Sequence, residues 1–242
     1  MLTELERQGV ADNTLILFLS DNGRPFPRAK TTLYDDGIRM PLIVAAPEAK
    51  TRGIRSQAMV SWVDITPTIL DWANAHGPKE YTLPGRSLLP ILGDESPAGW
   101  DRIFASHGFH EIQQYYPMRA LRTRQHKYIV NLAHPLAFPI AGDVASSPSW
   151  QAFERTAAAR PYLHRPREEL YDLVKDPHET RNVADDPAYR GVLDRMRADL
   201  EAFRKRTRDP WLPGQVTVHD HRAPGSADRQ GLEKRQLPAG GG

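Results

Sequence analysis

Apolar and polar positions along this chain fall into stretches of different period, and the stretches name its elements. Leu15 to Leu19 is an unbroken apolar run of strand length that ends in Ser20-Asp21-Asn22-Gly23. Such a run reads as a parallel strand covered on both faces, delivering polar groups to the carboxyl edge of a sheet. Pro41 to Pro47 is a second apolar run bounded by prolines, and Ala58 to Ser61 suggests a short third strand. Thr3 and Glu6 form a capping-box pair ahead of Leu5 and Val10, so a short helix opens the chain. Thr66 as cap and Pro67 at the first helical position open another, through Ile69, Leu70 and Trp72 to a Gly77-Pro78 stop.

From Pro84 the pattern changes. Arg102 to Ser106, Met118 to Arg122 and Lys127 to Asn131 are short strand candidates separated by polar turns, which predicts a small antiparallel sheet. Residues 133–167 form a long proline-containing excursion with a short helix expected around Ser149 to Ala158. Asp186 and Pro187 start the clearest helix, with Tyr189, Val192, Leu193, Met196, Leu200 and Phe203 on one face, expected to pack against that sheet. Beyond Trp211 the residues turn polar and glycine-rich. The expected class is α/β with three regions: residues 1–83 carrying the mostly parallel sheet with flanking helices, 84–212 the antiparallel subdomain and its packed helix, and 213–242 a disordered tail.

Composition adds exclusions. The 242 residues include 40% hydrophobic and 26% charged, enough for a sizeable core. With 32 basic against 30 acidic residues the balance argues for neither nucleic acid nor a membrane surface, and no apolar segment has the length of a membrane span. No cysteine is present, which removes disulfides, thiolate metal sites and a cysteine-derived nucleophile. The chain as written shows no export signal.

The candidate chemistry starts at Asp21 and Asn22, a carboxylate and a carboxamide at a strand end, which suit a hard divalent cation better than zinc. The same triplet also closes strands as a plain turn. Lys30 could present a point charge to a substrate anion, or be a solvated loop lysine. Arg39 beside Asp35 and Asp36 reads as a structural ion pair. His107, His110 and Glu111, followed by Tyr115-Tyr116, could serve as acid-base or sugar-binding groups or be ordinary surface. Arg119, Arg122 and Arg124 could face an anionic polymer or line the wet side of a strand.

Together these landmarks resemble the sulfatase family of the alkaline-phosphatase-like superfamily. The carriers are Thr14 to Gly23 with Lys30, Tyr34 to Pro41, Val63 to Leu70, Glu169 to Leu173, and Asp176 to Val183. Asp21 to Pro27 and His110 to Arg119 are similar to its sulfamidase branch. The resemblance implies that this chain is the carboxy-terminal part of an alkaline-phosphatase-like sandwich. It implies Asp21 and Asn22 as calcium ligands, Lys30 as the cation on the sulfate, and His110 and Glu111 in the substrate pocket. It also implies a formylglycine nucleophile from a Cys/Ser-x-Pro/Ala-x-Arg motif, which none of the serines here begins. The expected partners are a sulfated sugar and a separate amino-terminal half, with a periplasmic, extracellular or lysosomal setting for full-length relatives. A non-catalytic glycan-binding module and a phosphohydrolase or phosphonate hydrolase are the alternatives.

Overall fold

The structure, a computed structural model, describes residues 1–49, 51–111 and 114–212, and the backbone of Thr217–Val218 and Arg235–Gln236. In chain order its elements are α1 (Leu2–Arg7), β1 (Ile16–Leu19), α2 (Asp35–Ile38), β2 (Leu42–Ala45), α3 (Ile65–Trp72), β3 (Arg102–His110), β4 (Gln114–Thr123) and β5 (His126–Asn131). There follow α4 (Gly142–Ala145), α5 (Pro148–Phe153), α6 (Ala159–Leu163), β6 (Glu168–Asp172) and α7 (Arg190–Arg206). Two compact units result, one of Met1–Asp21 with Arg39–Ile103, the other of Asn22–Ile38 with Phe104–Gly242. The tail expected over 213–242 lies outside the described residues apart from the short antiparallel pairing of Thr217–Val218 with Arg235–Gln236.

In the first unit β1 and β2 pair antiparallel, with Phe18 opposite Ile43 and Leu17 opposite Val44. The apolar runs are strands as expected, but their pairing is not parallel and they are not covered on both faces, since the paired Phe18 and Ile43 are exposed: continuous hydrophobicity fixes neither chain direction nor cover. Ala58 to Ser61 forms no strand. The helix expected to begin at Thr66 is entered a turn earlier, because Ser61 and Asp64 form a reciprocal capping box over the helical turn Trp62–Asp64. Buried Asp64 also accepts from the Arg86 amide at 2.9 Å, and Thr68 Oγ1 accepts from the Leu88 amide at 2.9 Å. The turn-rich stretch after Pro84 is thereby tied to α3.

The second unit is built on a four-stranded sheet in the order β3-β4-β5-β6. Its register places Met118 opposite Asn131, Ala120 opposite Ile129 and Arg122 opposite Lys127, then Ile129 opposite Glu169 and Lys127 opposite Tyr171. Because strand side chains alternate, these residues share one face with Tyr116. Leu121, Tyr128, Val130 and Leu170 share the other. That second face packs on Leu193, Met196 and Leu200 of α7, the amphipathic helix the sequence indicated, and Phe104 stacks on Phe203 with ring centroids 4.0 Å apart. The first face is covered by Leu33 and Tyr34 from the 22–38 segment and by Phe138, Ala141, Val144, Trp150 and Tyr162 from the excursion. The excursion's single expected helix is split into α5 and α6.

The face covered by the 22–38 segment is not purely apolar. Lys127, wholly buried, places Nζ 2.5 Å from Asp35 Oδ1 and 2.7 Å from Glu179 Oε1. Glu169 accepts from Tyr34 Oη at 2.8 Å, Tyr171 Oη at 2.5 Å and Asn131 Nδ2 at 2.6 Å. Arg165, also buried, lies 3.7 Å from the centre of the Phe138 ring. These polar groups fix how the 22–38 segment lies on the sheet, since a buried charge without its partner is costly.

Candidate functional site

Asp21 and Asn22 follow β1 in an exposed bend. The Trp62 indole donates to the Asp21 carbonyl at 3.4 Å, and Asn22 Nδ2 donates to the Gly23 carbonyl at 2.8 Å, which sets the orientation of the carboxamide. A carboxylate and a carboxamide oxygen are hard donors of the type calcium takes. Among the described residues no three His, Cys, Asp or Glu side chains gather to hold a metal ion. The donor set therefore fits calcium in kind, while about six to eight oxygens are needed to fill its sphere.

The segment that carries Lys30 doubles back on itself tightly. A Cβ on Gly37 would lie 2.4 Å from the Ala29 carbonyl oxygen, and one on Gly23 would lie 2.6 Å from that of Asp36, so both positions require glycine. Arg28 and Thr31, on either side of Lys30, sit in the left-handed region at φ 65°. The Arg28 guanidinium reaches the Glu179 carbonyl at 2.5 Å and lies over the Tyr34 ring. Held this way, Lys30 points its Nζ at Asp143 Oδ2, 2.5 Å away. The hydrogen bond from Lys30 holds the Asp143 carboxyl below its ordinary value. Lys30 is thus neither a free loop lysine nor a bare cation.

Asp35 and Asp36 do not depend on Arg39. Asp35 pairs with Lys127 and with Arg122, whose Nη2 is 2.8 Å from Oδ2, and Asp36 lies 3.8 Å from Arg24. The histidine cluster separates. His107 turns Nδ1 to the Tyr116 carbonyl at 3.0 Å, its Nε2 is buried, and burial lowers its pKa despite that contact. His110 and Glu111 stay together, 3.7 Å apart at the end of β3, with Glu111 in the left-handed region at φ 52°. Arg119 is not on a wet strand face. It is buried, paired with Asp209 and stacked on Trp211, while Tyr115 accepts from the Trp211 indole.

Residue patterning alone assigns no role to Asp143, Lys127 or Glu179. Asp143 lies in the excursion, where mixed composition hides periodicity. Lys127 did carry a signal: it shares the period of two with buried Ile129 and Asn131, so alternation places it on the covered face.

Residues 1–75 match the Sulfatase family model. Over 230 residues the chain is 41% identical to N-sulphoglucosamine sulphohydrolase of Homo sapiens, an alignment covering 88% of this chain and 45% of that protein. The chain carries sulfatase-family sequence. An ulvan-active sulfatase of Formosa agariphila is 29% identical over 217 residues, with 84% of this chain and 35% of the relative covered. A solved structure in complex with its substrate D-glucosamine-2-N,6-O-disulfate resembles this chain with a TM-score of 0.64 and 26% identity, covering 86% of this chain and 37% of that one. Phosphonate monoester hydrolase of Agrobacterium radiobacter shares the fold at a TM-score of 0.61 and 23% identity. The α/β class with its antiparallel subdomain is therefore that of sulfatases. The chain spans less than half the length of either curated relative named here. Among the described residues no helix is long and apolar enough to cross a membrane.

Proposed function

We propose that this chain provides part of the active site of a sulfatase that removes sulfate from an N-sulfoglucosamine-type sugar. Asp21 and Asn22 would contribute to a calcium site, and bound calcium would offset negative charge on the sulfate oxygens. Lys30 would take a sulfate oxygen as a charge-assisted hydrogen bond. His110 and Glu111 would meet the sugar. The nucleophile is not among these 242 residues, which contain neither cysteine nor a serine that begins the formylglycine motif. A separate amino-terminal half would supply it, and full-length relatives would work outside the cytosol.

The observation that supports this reading most is Lys30 itself. A rigid, glycine-closed loop with strained backbone on both sides presents one lysine, within a chain 41% identical to a sulphohydrolase of N-sulphoglucosamine. Strain of this type is retained where a side chain must be aimed. The glycan-module alternative loses Arg119, which is used internally. A phosphohydrolase has no comparable support from the sequence relatives.

The test is calcium-dependent thermal stabilisation of the purified chain. Calcium is expected to raise the melting temperature, and Asp21→Ala with Asn22→Ala to abolish the rise while leaving the metal-free melting temperature unchanged. A rise that survives both substitutions would reject the assignment.

A further inference from the structure

The partner of Lys30 says more about the ligand than the lysine does. Asp143 Oδ2 lies 2.5 Å from Lys30 Nζ, and the two side chains differ in access: 18% exposed for Lys30, 46% for Asp143. The ammonium has three donors and the carboxylate about four acceptor positions, so one shared bond leaves each group capacity to bind something else. The Asp143 carboxylate is open to solvent at 46% exposure, and the backbone at the preceding Gly142 is uncrowded, since a Cβ there would meet nothing within 4 Å. Lys30 is fixed in place: its amide donates to the Arg24 carbonyl at 3.1 Å, and Thr31 Oγ1 donates to the Lys30 carbonyl at 2.6 Å.

A fixed cation and a more exposed carboxylate in contact make a dipolar site. An isolated sulfate ion fits it poorly, because its oxygens would approach Asp143 as well as Lys30. A ligand with an anionic group and a hydrogen-bond donor on neighbouring carbons fits both halves. Resting on the sulfate role of Lys30 given above, we propose that Asp143 is a specificity-determining residue: it accepts a hydrogen bond from a sugar hydroxyl on the carbon next to the one that bears the sulfated group. The site then selects sulfated rings with a free neighbouring hydroxyl over sulfated rings without one.

Two probes isolate this role. N-sulfoglucosamine and cyclohexylsulfamate carry the same sulfamate, and only the first has ring hydroxyls. Binding to the full chain is followed by NMR shifts of the amides at 29–32 and 142–145. The wild-type chain is expected to prefer N-sulfoglucosamine by about tenfold, as a hydrogen bond to a charged group allows. Asp143→Ala should remove the preference by weakening the sugar and strengthening cyclohexylsulfamate, and Asp143→Asn, which keeps an acceptor, should restore part of it. If Asp143→Ala strengthens both probes equally, Asp143 is only a counter-ion and the proposal fails. If Lys30→Ala leaves the binding of both probes intact, the sulfate role of Lys30 fails, and the proposal with it. A wild-type chain that binds neither probe overturns both.

Discussion

Arg119 and Asp209 face each other as a two-pronged pair, Nε to Oδ2 at 2.8 Å and Nη2 to Oδ1 at 2.8 Å, in the interior of the second unit. Arg204 adds a third bond to Asp209 at 2.8 Å, and the Arg119 guanidinium lies 4.7 Å from the centre of the Trp211 ring. Burial pushes the Asp209 carboxyl up, but the two guanidinium groups outweigh it and hold the carboxyl below its ordinary value. The pair ties β4 to the chain that leaves α7.

Arg119→Gln should therefore act on stability and not on glycan binding. Breaking one partner of a buried pair costs about 3 kcal/mol, and the arginine left on Asp209 should keep the loss near the lower end. Urea unfolding gives the size of the loss. Retention on heparin, compared at equal folded fraction, should not change in its salt dependence. A selective loss of retention would restore an external role for this arginine.

Lys127 is the centre of the charge network under the Lys30 segment. Lys127→Met leaves Asp35 with Arg122 but strips Glu179 of its cation, and burial already raises the Glu179 carboxyl against the pull of Lys127. The single variant should lose about 3–5 kcal/mol. Adding Glu179→Gln should recover at least about 1 kcal/mol of that, because no buried charge is then left without a partner. Strict additivity of the two losses in a urea double-mutant cycle would contradict the network.

Asp35 makes the network sensitive to acid. Burial alone would raise its pKa, but the hydrogen bond from Arg122 and the charge on Lys127 bring it down to about 2, against about 3.9 for an unfolded aspartate. The folded chain thus binds this proton less tightly than the unfolded one. The resulting stability is complete above pH 4 or so and is lost as pH falls through the folded value. The stability gap between wild type and Asp35→Asn should shrink by about 2 kcal/mol between pH 5 and pH 2. Urea midpoints at the two pH values measure it, and a constant gap would show that the carboxylate is not held by charge.

How much of this was legible in the sequence depended on whether a signal was local. The β1 and β2 runs and the apolar stripe of α7 came through because period and capping residues lie within one element. The antiparallel pairing of β1 with β2 did not, because hydrophobicity carries no direction. β6 was read only as part of a family landmark, since Glu168-Glu169-Leu170-Tyr171-Asp172 buries charged groups that alternation assigns to solvent. At the candidate site the strand end and Lys30 were found from residue type. Asp143 was not, because it lies 113 positions from Lys30 and nothing in its own surroundings marks it.

The same separation has a consequence for how the protein is made. Tyr34 reaches its partner Glu169 across 135 positions, and Arg28 reaches Glu179 across 151. Contacts this distant in sequence form late, because the chain must close a long loop before they return any stabilisation. On a ribosome, the segment that carries Lys30 leaves the exit tunnel well before its partners Asp143, Glu169 and Glu179. Until those partners follow, the segment from Asn22 to Ile38 lacks them, and Leu33 and Tyr34, buried in the finished fold, lack their full cover. A pause in translation between residues 38 and 104 would prolong that interval without changing a single contact of the finished fold.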